Sequence, residues 1–181
     1  RAPQTRTLDT LEEQVRGGID FARHRYGAQS FMAYIQAFTG TLASVARQQE
    51  FYDRIFQCHR FEALSVGTRP DCLPPAVLDL LLSLKDRTDV WVEPGIQTMH
   101  DRTLKRINRG HDWETGRRAI LNLARRGIKV APHVILGLPG ESVADLNQTA
   151  ETLAGLPVSA VEIHNLHVIR GTQLADQYRE N

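Results

Sequence analysis

KVAPHVILGLPGESVADLNQTAETLA, at residues 129–154, has the pattern of a β-strand, a tight loop and an α-helix in succession. The apolar run from Lys129 to Leu136 is typical of a buried strand. Ser142 stands where a helix N-cap is expected, and Asp145 follows three residues later in a position like that of a capping box. Apolar residues at helical spacing then continue along one face, so this segment predicts one complete βα unit.

The same alternation recurs along the rest of the chain. Strand-like segments are 31–38, 61–66, 89–96, 129–136 and 158–163, and helical patterns cover 8–24, 41–57, 76–85, 114–126 and a segment from residue 142. Such alternation predicts an α/β protein with a parallel sheet covered by helices. Periodicity leaves open whether the sheet is doubly wound or curled into a full or partial barrel. In both cases ligands bind at the carboxyl ends of the strands.

Composition and charge exclude several classes of protein. With 181 residues, 41% of them hydrophobic and 24% charged, the chain suits one folded domain over residues 1–181 and not a disordered tail. A net charge of +1 does not require nucleic acid or an anionic membrane as partner. The two cysteines, Cys58 and Cys72, exclude a disulfide framework. We expect no membrane span and no secretion leader.

Polar residues and glycines follow every predicted strand. Together they predict a rim at the carboxyl ends that suits a polar small molecule. GLPGES at 137–142 lacks the Gly-Lys-Ser/Thr ending of a P-loop, so a nucleoside triphosphate site is not expected. The histidines occur without an HExxH pattern, which favours hydrogen-bonding or substrate-facing roles over a metal site.

A basic segment lies in the second half of the chain. Nine lysines and arginines occur between residues 102 and 129, and only three acidic residues oppose them between 101 and 129, so the local balance is 9 − 3 = +6. Two interpretations stay open: a solvated outer helix face, or a patch for an anionic substrate or RNA.

Two motifs carry a resemblance to a known family. GIQTMHDRTLKRINRGHD at 95–112 and KVAPHVILGLPGES at 129–142 closely resemble the radical S-adenosylmethionine (SAM) enzymes. The branch is that of the elongator catalytic subunit and oxygen-independent coproporphyrinogen oxidase. IQAFTGT, SVGTRPDCLPPAVLDLL and EIHNLHVIRGT, which begin at residues 35, 65 and 162, narrow the resemblance to a bacterial group of uncharacterised Fe–S oxidoreductases. It covers the chain from about Leu8 onward.

The resemblance implies a fold and an activity. In this family a partial (β/α)6 TIM-like barrel holds a [4Fe–4S] cluster on three cysteines of a CxxxCxxC loop after the first strand. SAM binds the fourth site of the cluster and is cleaved reductively to methionine and a 5′-deoxyadenosyl radical, which abstracts hydrogen from a substrate. The cofactor supplies the chemistry, and the protein supplies positioning and electrostatics.

The resemblance also implies individual site residues. SAM contacts are expected at Thr39, Gly40, Thr41, Gln97, Arg109, His133, Ile135 and Gly137. The segment 39–41 would meet the methionyl amino group, Gln97 the ribose, and the chain near Ile135 the adenine. Arg109 would bind the methionyl carboxylate, since a guanidinium pairs with a carboxylate bidentately. Substrate contacts are expected from Arg69, His164 and His167.

The cysteine count departs from the family pattern. Residues 1–181 contain no CxxxCxxC, so we expect the first strand and the cluster loop to lie upstream, with the core domain incomplete at the N-terminus and also at the C-terminus. On this interpretation the fragment by itself binds no cluster and is inactive. The longer enzyme would need an unknown substrate and an electron donor, and a cytoplasmic location is expected. The alternatives are a non-catalytic barrel used for binding and an ordinary barrel enzyme acting on a polar metabolite.

Overall fold

The computed structural model describes residues 10–36 and 39–179, so the predicted positions Leu8 and Phe38 lie outside it. Within those ranges the helices are α1 (Leu11–Tyr26), α2 (Val45–Cys58), α3 (Pro75–Ser83), α4 (Asp101–Arg106), α5 (Trp113–Arg125), α6 (Val143–Ala154) and α7 (Gln173–Arg179). The strands are β1 (Met32–Ile35), β2 (Ala63–Thr68), β3 (Asp89–Gln97), β4 (Lys129–Val130), β5 (His133–Leu136) and β6 (Glu162–Asn165). No helix of the described ranges has both the length and the apolar character needed to cross a bilayer.

The strands form one parallel sheet whose spatial order follows the chain. The order is β1-β2-β3-β5-β6, and β4 also pairs with β3. A doubly wound sheet reverses its strand order at the middle, whereas a barrel wall runs sequentially. The prediction of a partial TIM-like barrel with parallel strands is therefore confirmed.

The helices cover one face of this sheet and bury its apolar side chains. Leu64, Val66 and Val92 are fully buried against this layer, as are Ile120 and other α5 residues. α5 comes unusually close to β3 at Gly116. A Cβ on this glycine would lie 2.8 Å from the Ile96 side chain, so a larger residue would not fit without a shift. α1 begins with a capping box between Thr10 and Glu13 and ends at Gly27, which has φ 64°. These local signals place the ends of α1. The other face of the sheet is open, since Met32 and Tyr34 on it are exposed.

Several predicted strand boundaries differ from the structure, and two of these differences have a physical reason. The segment 129–136 is interrupted before His133, since Pro132 has no N–H for the ladder, and its two halves are β4 and β5. The last strand begins at Glu162 and not at Val158. Val158 instead lies in the loop before β6 and packs against the core. Its apolar character therefore reflects core packing and not strand pairing.

We predict that Leu64→Ala lowers the free energy of unfolding by about 2–5 kcal/mol, because it leaves a cavity between β2 and the helices. Leu42→Ala is the matched control, since Leu42 is 74% exposed. It should change stability by less than about 0.5 kcal/mol. Urea titration followed by circular dichroism measures both, and equal losses for the two variants would contradict the layered core.

Candidate functional site

Gln97 and Arg109 meet over Gly95, near the carboxyl end of β3. A Cβ on Gly95 would lie 2.5 Å from Nη2 of Arg109 and 2.7 Å from Nε2 of Gln97. Arg109 donates hydrogen bonds from Nη2 and Nε to the carbonyl oxygen of Gly95, at 2.8 and 3.3 Å. Only glycine leaves room for these two side chains. The glycine of GIQ, at residue 95, therefore has a steric reason.

Arg109 is a half-buried cation. Burial lowers the pKa of Arg109, and the positive charge of nearby Arg69 lowers it further. Arg69 is itself held bidentately by Asp71, at 3.0 and 2.8 Å. Among residues 10–36 and 39–179 no carboxylate oxygen lies within 4 Å of the Arg109 guanidinium. A cleft of about 410 Å³ opens beside Arg109 and His111, and its lining also includes Asp101 and Asp112. An anionic group in contact with the Arg109 guanidinium would compensate its charge.

Gln97 has a strained backbone. Its φ is 71°, a left-handed value that residues other than glycine and asparagine rarely adopt. The ladder between β3 and β5 shifts register between Gly95 and Gln97, which turns the Gln97 side chain back toward Gly95. Strain of this kind persists where the surroundings impose it, and it occurs often at binding sites.

The segment Thr39, Gly40 and Thr41 packs tightly against the end of β2. Gly40 donates its N–H to the carbonyl of Gly67 at 3.0 Å, and a Cβ on Gly40 would lie 2.9 Å from that oxygen. Thr41 is buried, and its hydroxyl bonds to Thr68 and to the carbonyl of Cys72, both at 2.6 Å. The Thr41 hydroxyl therefore holds the loop in place. Its predicted contact with SAM stays a prediction.

The loop after β5 is tied to the end of β3. Thr98 donates its hydroxyl proton to Glu141 at 2.6 Å. Gly137 has φ 85° and is exposed at the turn, while Ile135 is half-buried on β5. Hydrogen bonds from the Ser142 backbone and side chain, together with the Arg102 guanidinium, hold the pKa of Asp145 well below its usual range. The capping box predicted at Ser142 and Asp145 is present.

Sequence analysis missed a polar cluster on the open face of the sheet. Glu93 accepts hydrogen bonds from Tyr34 and Ser65 and contacts His133. Burial raises the pKa of Glu93, but those three hydrogen bonds outweigh it, and the net pKa is lowered. His164 joins this cluster. A carboxylate inside the strand VWVEPG, between buried valines and a buried proline, was the signal that could have identified it.

The remaining predicted residues have different surroundings. His167 lies exposed in the loop after β6, so the structure brings His164 but not His167 to the cluster.

The basic segment is largely paired with carboxylates of the same chain, through Arg102–Asp145, Arg117–Glu114, Arg118–Glu114, Arg126–Asp79 and Lys129–Asp89. This pairing favours the solvated-face interpretation over an anion-binding patch.

We predict that Gln97→Gly is more stable than Gln97→Ala by about 1 kcal/mol, because alanine keeps the left-handed strain and glycine does not. In an ordinary strand the order is reversed. Urea titration of the two variants tests this, with Gly and Ala at exposed Asn165 of β6 as the control pair. An Ala variant at 97 that is as stable as the Gly variant would contradict the strained geometry.

Comparison with known proteins gives three related findings. Residues 3–153 match the model of the radical SAM superfamily. Protein YhcC of Escherichia coli K12 is 44% identical over 149 residues, which are 82% of this chain and 48% of YhcC. A tRNA uridine(34) acetyltransferase of Methanocaldococcus infernus is 31% identical over 124 residues, which are 67% of this chain and 23% of that protein. This chain therefore spans about half the length of YhcC.

A solved structure agrees with the fold. Archaeal Elp3 of Methanocaldococcus infernus superposes with a TM-score of 0.80 at 24% identity, over 92% of this chain and 44% of that chain. At this identity the likeness concerns the fold alone. The family match covers most of the chain and includes the segments that carry Gln97 and Arg109. The chain belongs to the radical SAM superfamily.

Proposed function

We propose that this chain forms the SAM-binding wall of a radical SAM enzyme. The longer protein would cleave SAM reductively and use the 5′-deoxyadenosyl radical to abstract hydrogen from a substrate. One observation carries the proposal: Arg109 is a half-buried guanidinium, fixed over Gly95, without a carboxylate partner in the described residues. The family membership supports the same class of chemistry.

SAM fits the groups at the rim. Its methionyl carboxylate would pair with Arg109 and neutralise a cation that Arg69 already destabilises. The Gln97 amide, which lies beside that guanidinium, would donate and accept hydrogen bonds with the two ribose hydroxyls. Bidentate pairing at one end and amide contacts at the other would fix the orientation of the whole molecule.

The other predicted contacts complete this proposal. Thr39 and the backbone of Gly40 would meet the methionyl amino group, with Thr41 holding the loop from within. Ile135 and the turn at Gly137 would border the adenine. His133 is proposed near the ribose; in the structure its ring nitrogens face Glu93, Glu162 and His164.

The cluster does not fit this chain by itself. The sequence has two cysteines, Cys58 and Cys72, and a [4Fe–4S] cluster of this family needs three. Cys58 lies at the end of α2 and donates its thiol proton to the carbonyl of Arg54. Cys72 lies after β2, and burial raises the pKa of its thiol. When bound in the longer protein, the cluster would supply the electron that cleaves SAM. We assign no step to these cysteines.

The substrate and partners remain proposals. The similarity to a tRNA uridine(34) acetyltransferase makes RNA one substrate class to screen, although the paired arginines argue for a small contact area. An electron donor is required for reductive cleavage. We propose a cytoplasmic location, since an oxygen-sensitive cluster depends on a reducing compartment. Arg69, His164 and His167 are proposed to face the substrate.

We predict that Arg109→Lys raises the Kd for SAM by about tenfold to hundredfold, because a charge-assisted hydrogen bond contributes about 1.5–3 kcal/mol and lysine cannot pair bidentately. Isothermal titration calorimetry measures the change. Arg118→Ala, which removes an exposed guanidinium from α5, is the matched control and should bind SAM like the unmodified protein.

The reaction itself is tested on the longer protein, purified without oxygen. Iron and sulfide content and the release of 5′-deoxyadenosine with SAM and dithionite are the readouts. A stoichiometric cluster and release of 5′-deoxyadenosine in the unmodified protein would support the proposal. Arg109→Ala should keep the cluster and lose the product. A colourless protein that forms no product after cluster reconstitution would contradict it and favour the binding-module alternative.

A further inference from the structure

Three side chains on the open face of the sheet form a compact group of potential ligands. They are His133 on β5 and Glu162 and His164 on β6, whose ligand atoms all lie within 4.8 Å of one another. His133 Nδ1 is 3.0 Å from His164 Nε2, and His164 Nε2 is 3.4 Å from Glu162 Oε1. This arrangement follows from the register of the two strands, which pairs His133 with Glu162 and Ile135 with His164.

Glu93 fixes the orientation of the His133 ring. Its carboxylate is held by the Tyr34 hydroxyl at 2.6 Å and by the Ser65 hydroxyl, and it lies 2.8 Å from His133 Nε2. A carboxylate only accepts hydrogen bonds, so the proton of a neutral His133 ring is on Nε2. The lone pair is then on Nδ1 and points toward His164. A carboxylate that orients a histidine in this way is the usual outer partner of a metal ligand.

The charge of this group also favours a cation. With neutral imidazoles, Glu93 and Glu162 give the group a charge of −2. Within the described ranges the two carboxylates have ion-pair partners among histidines only, and no lysine or arginine comes within 4 Å of them. Glu93 is 12% exposed, so its charge is poorly solvated. A divalent cation would neutralise this charge.

We propose that His133 Nδ1, His164 Nε2 and a Glu162 carboxylate oxygen bind one divalent first-row transition metal ion. Two imidazoles and one carboxylate suit zinc, iron(II) or cobalt(II), and this ligand set leaves coordination positions open for water or substrate. Tetrahedral ligands at bonds of about 2.05 Å are about 3.3 Å apart, which is close to the contacts of 3.0 Å between His133 Nδ1 and His164 Nε2 and 3.4 Å between His164 Nε2 and Glu162 Oε1. Metal binding also requires two local changes. The Glu162 carboxylate, which lies 2.8 Å from His133 Nε2, must turn toward the ion, and His164 must carry its proton on Nδ1. Sequence patterns alone had favoured hydrogen-bonding roles for these histidines.

This site goes beyond the proposed reaction of SAM and does not depend on it. The two sites adjoin, because His133 is also the proposed ribose contact and pairs with Gly95 in the ladder between β3 and β5. Glu162 and His164 belong to the metal site and have no proposed contact with SAM. A second cleft, of about 270 Å³, borders the two carboxylates of the group, Glu93 and Glu162. With Nε2 directed to Glu93, His133 would keep its orientation whether or not SAM is bound.

Cobalt(II) is the probe that tests the site directly. Titration of the tag-free chain, first treated with a chelator, should give visible d–d bands that saturate at one ion per chain. Added zinc should abolish these bands by displacing the cobalt. Thiolate charge-transfer bands should be absent, because the ligands are nitrogen and oxygen atoms.

Variants identify the ligands. His164→Asn and Glu162→Gln should each weaken cobalt binding by at least about tenfold, and Glu93→Gln by about tenfold to hundredfold through the orientation of His133. His167→Asn, two residues beyond β6, is the matched control and should bind like the unmodified chain. Arg109→Lys should also leave cobalt binding unchanged, which separates this site from the SAM site.

Three results would overturn the proposal. They are the absence of saturable cobalt uptake, thiolate bands that indicate Cys58 or Cys72 as ligands, and equal affinity in His164→Asn and His167→Asn. Circular dichroism of each variant checks that the chain is folded. His164 lies on the edge strand with its side chain 37% exposed, so its replacement should be tolerated.

Discussion

The alternation of side chains along β3 is the constraint on which the site depends. Successive residues of a strand point to opposite faces, so Val90 and Val92 enter the helix layer while Trp91 and Glu93 lie on the open face. β3 pairs with strands on both sides, and its register therefore aligns both halves of the sheet. A shift by one residue would bury Glu93 among the helices and expose the valines.

The end of β3 combines two functions of glycine. Gly95 has no Cβ, so the Arg109 side chain can return from the next loop and bond to the Gly95 carbonyl. That return requires left-handed residues in the loop, and Asn108 and Gly110 supply them with φ 51° and 81°. The cation is thus placed by backbone geometry and by a missing side chain, and not by an ion pair.

The two candidate sites differ in charge. The rim carries Arg69 and Arg109, and the second of these lacks a carboxylate partner within the described residues, so the rim suits an anionic group. The open face carries Glu93 and Glu162, whose partners are histidines, and it suits a cation. We therefore expect the two candidate sites to prefer ligands of opposite charge, although both are built on the same few strands.

Much of the fold could be predicted from local pattern. The period of 2 in the strands and of 3.6 in the helices indicated the parallel α/β architecture, and the capping box at Ser142 marked a helix start that the structure has. The strand break at Pro132 was missed, although proline is a local signal. The start of β6 was also missed, because Val158 is apolar for loop packing and not for strand pairing.

What the sequence by itself determined is the order of elements, the loop residues at the rim and the family. Only the tertiary structure decided which distant side chains meet. Glu93 and His133 are 40 residues apart in the chain, and His133 and His164 are 31 apart. Contacts of this kind depend on strand order and register, which local periodicity does not encode, since a strand has the same alternation in any register.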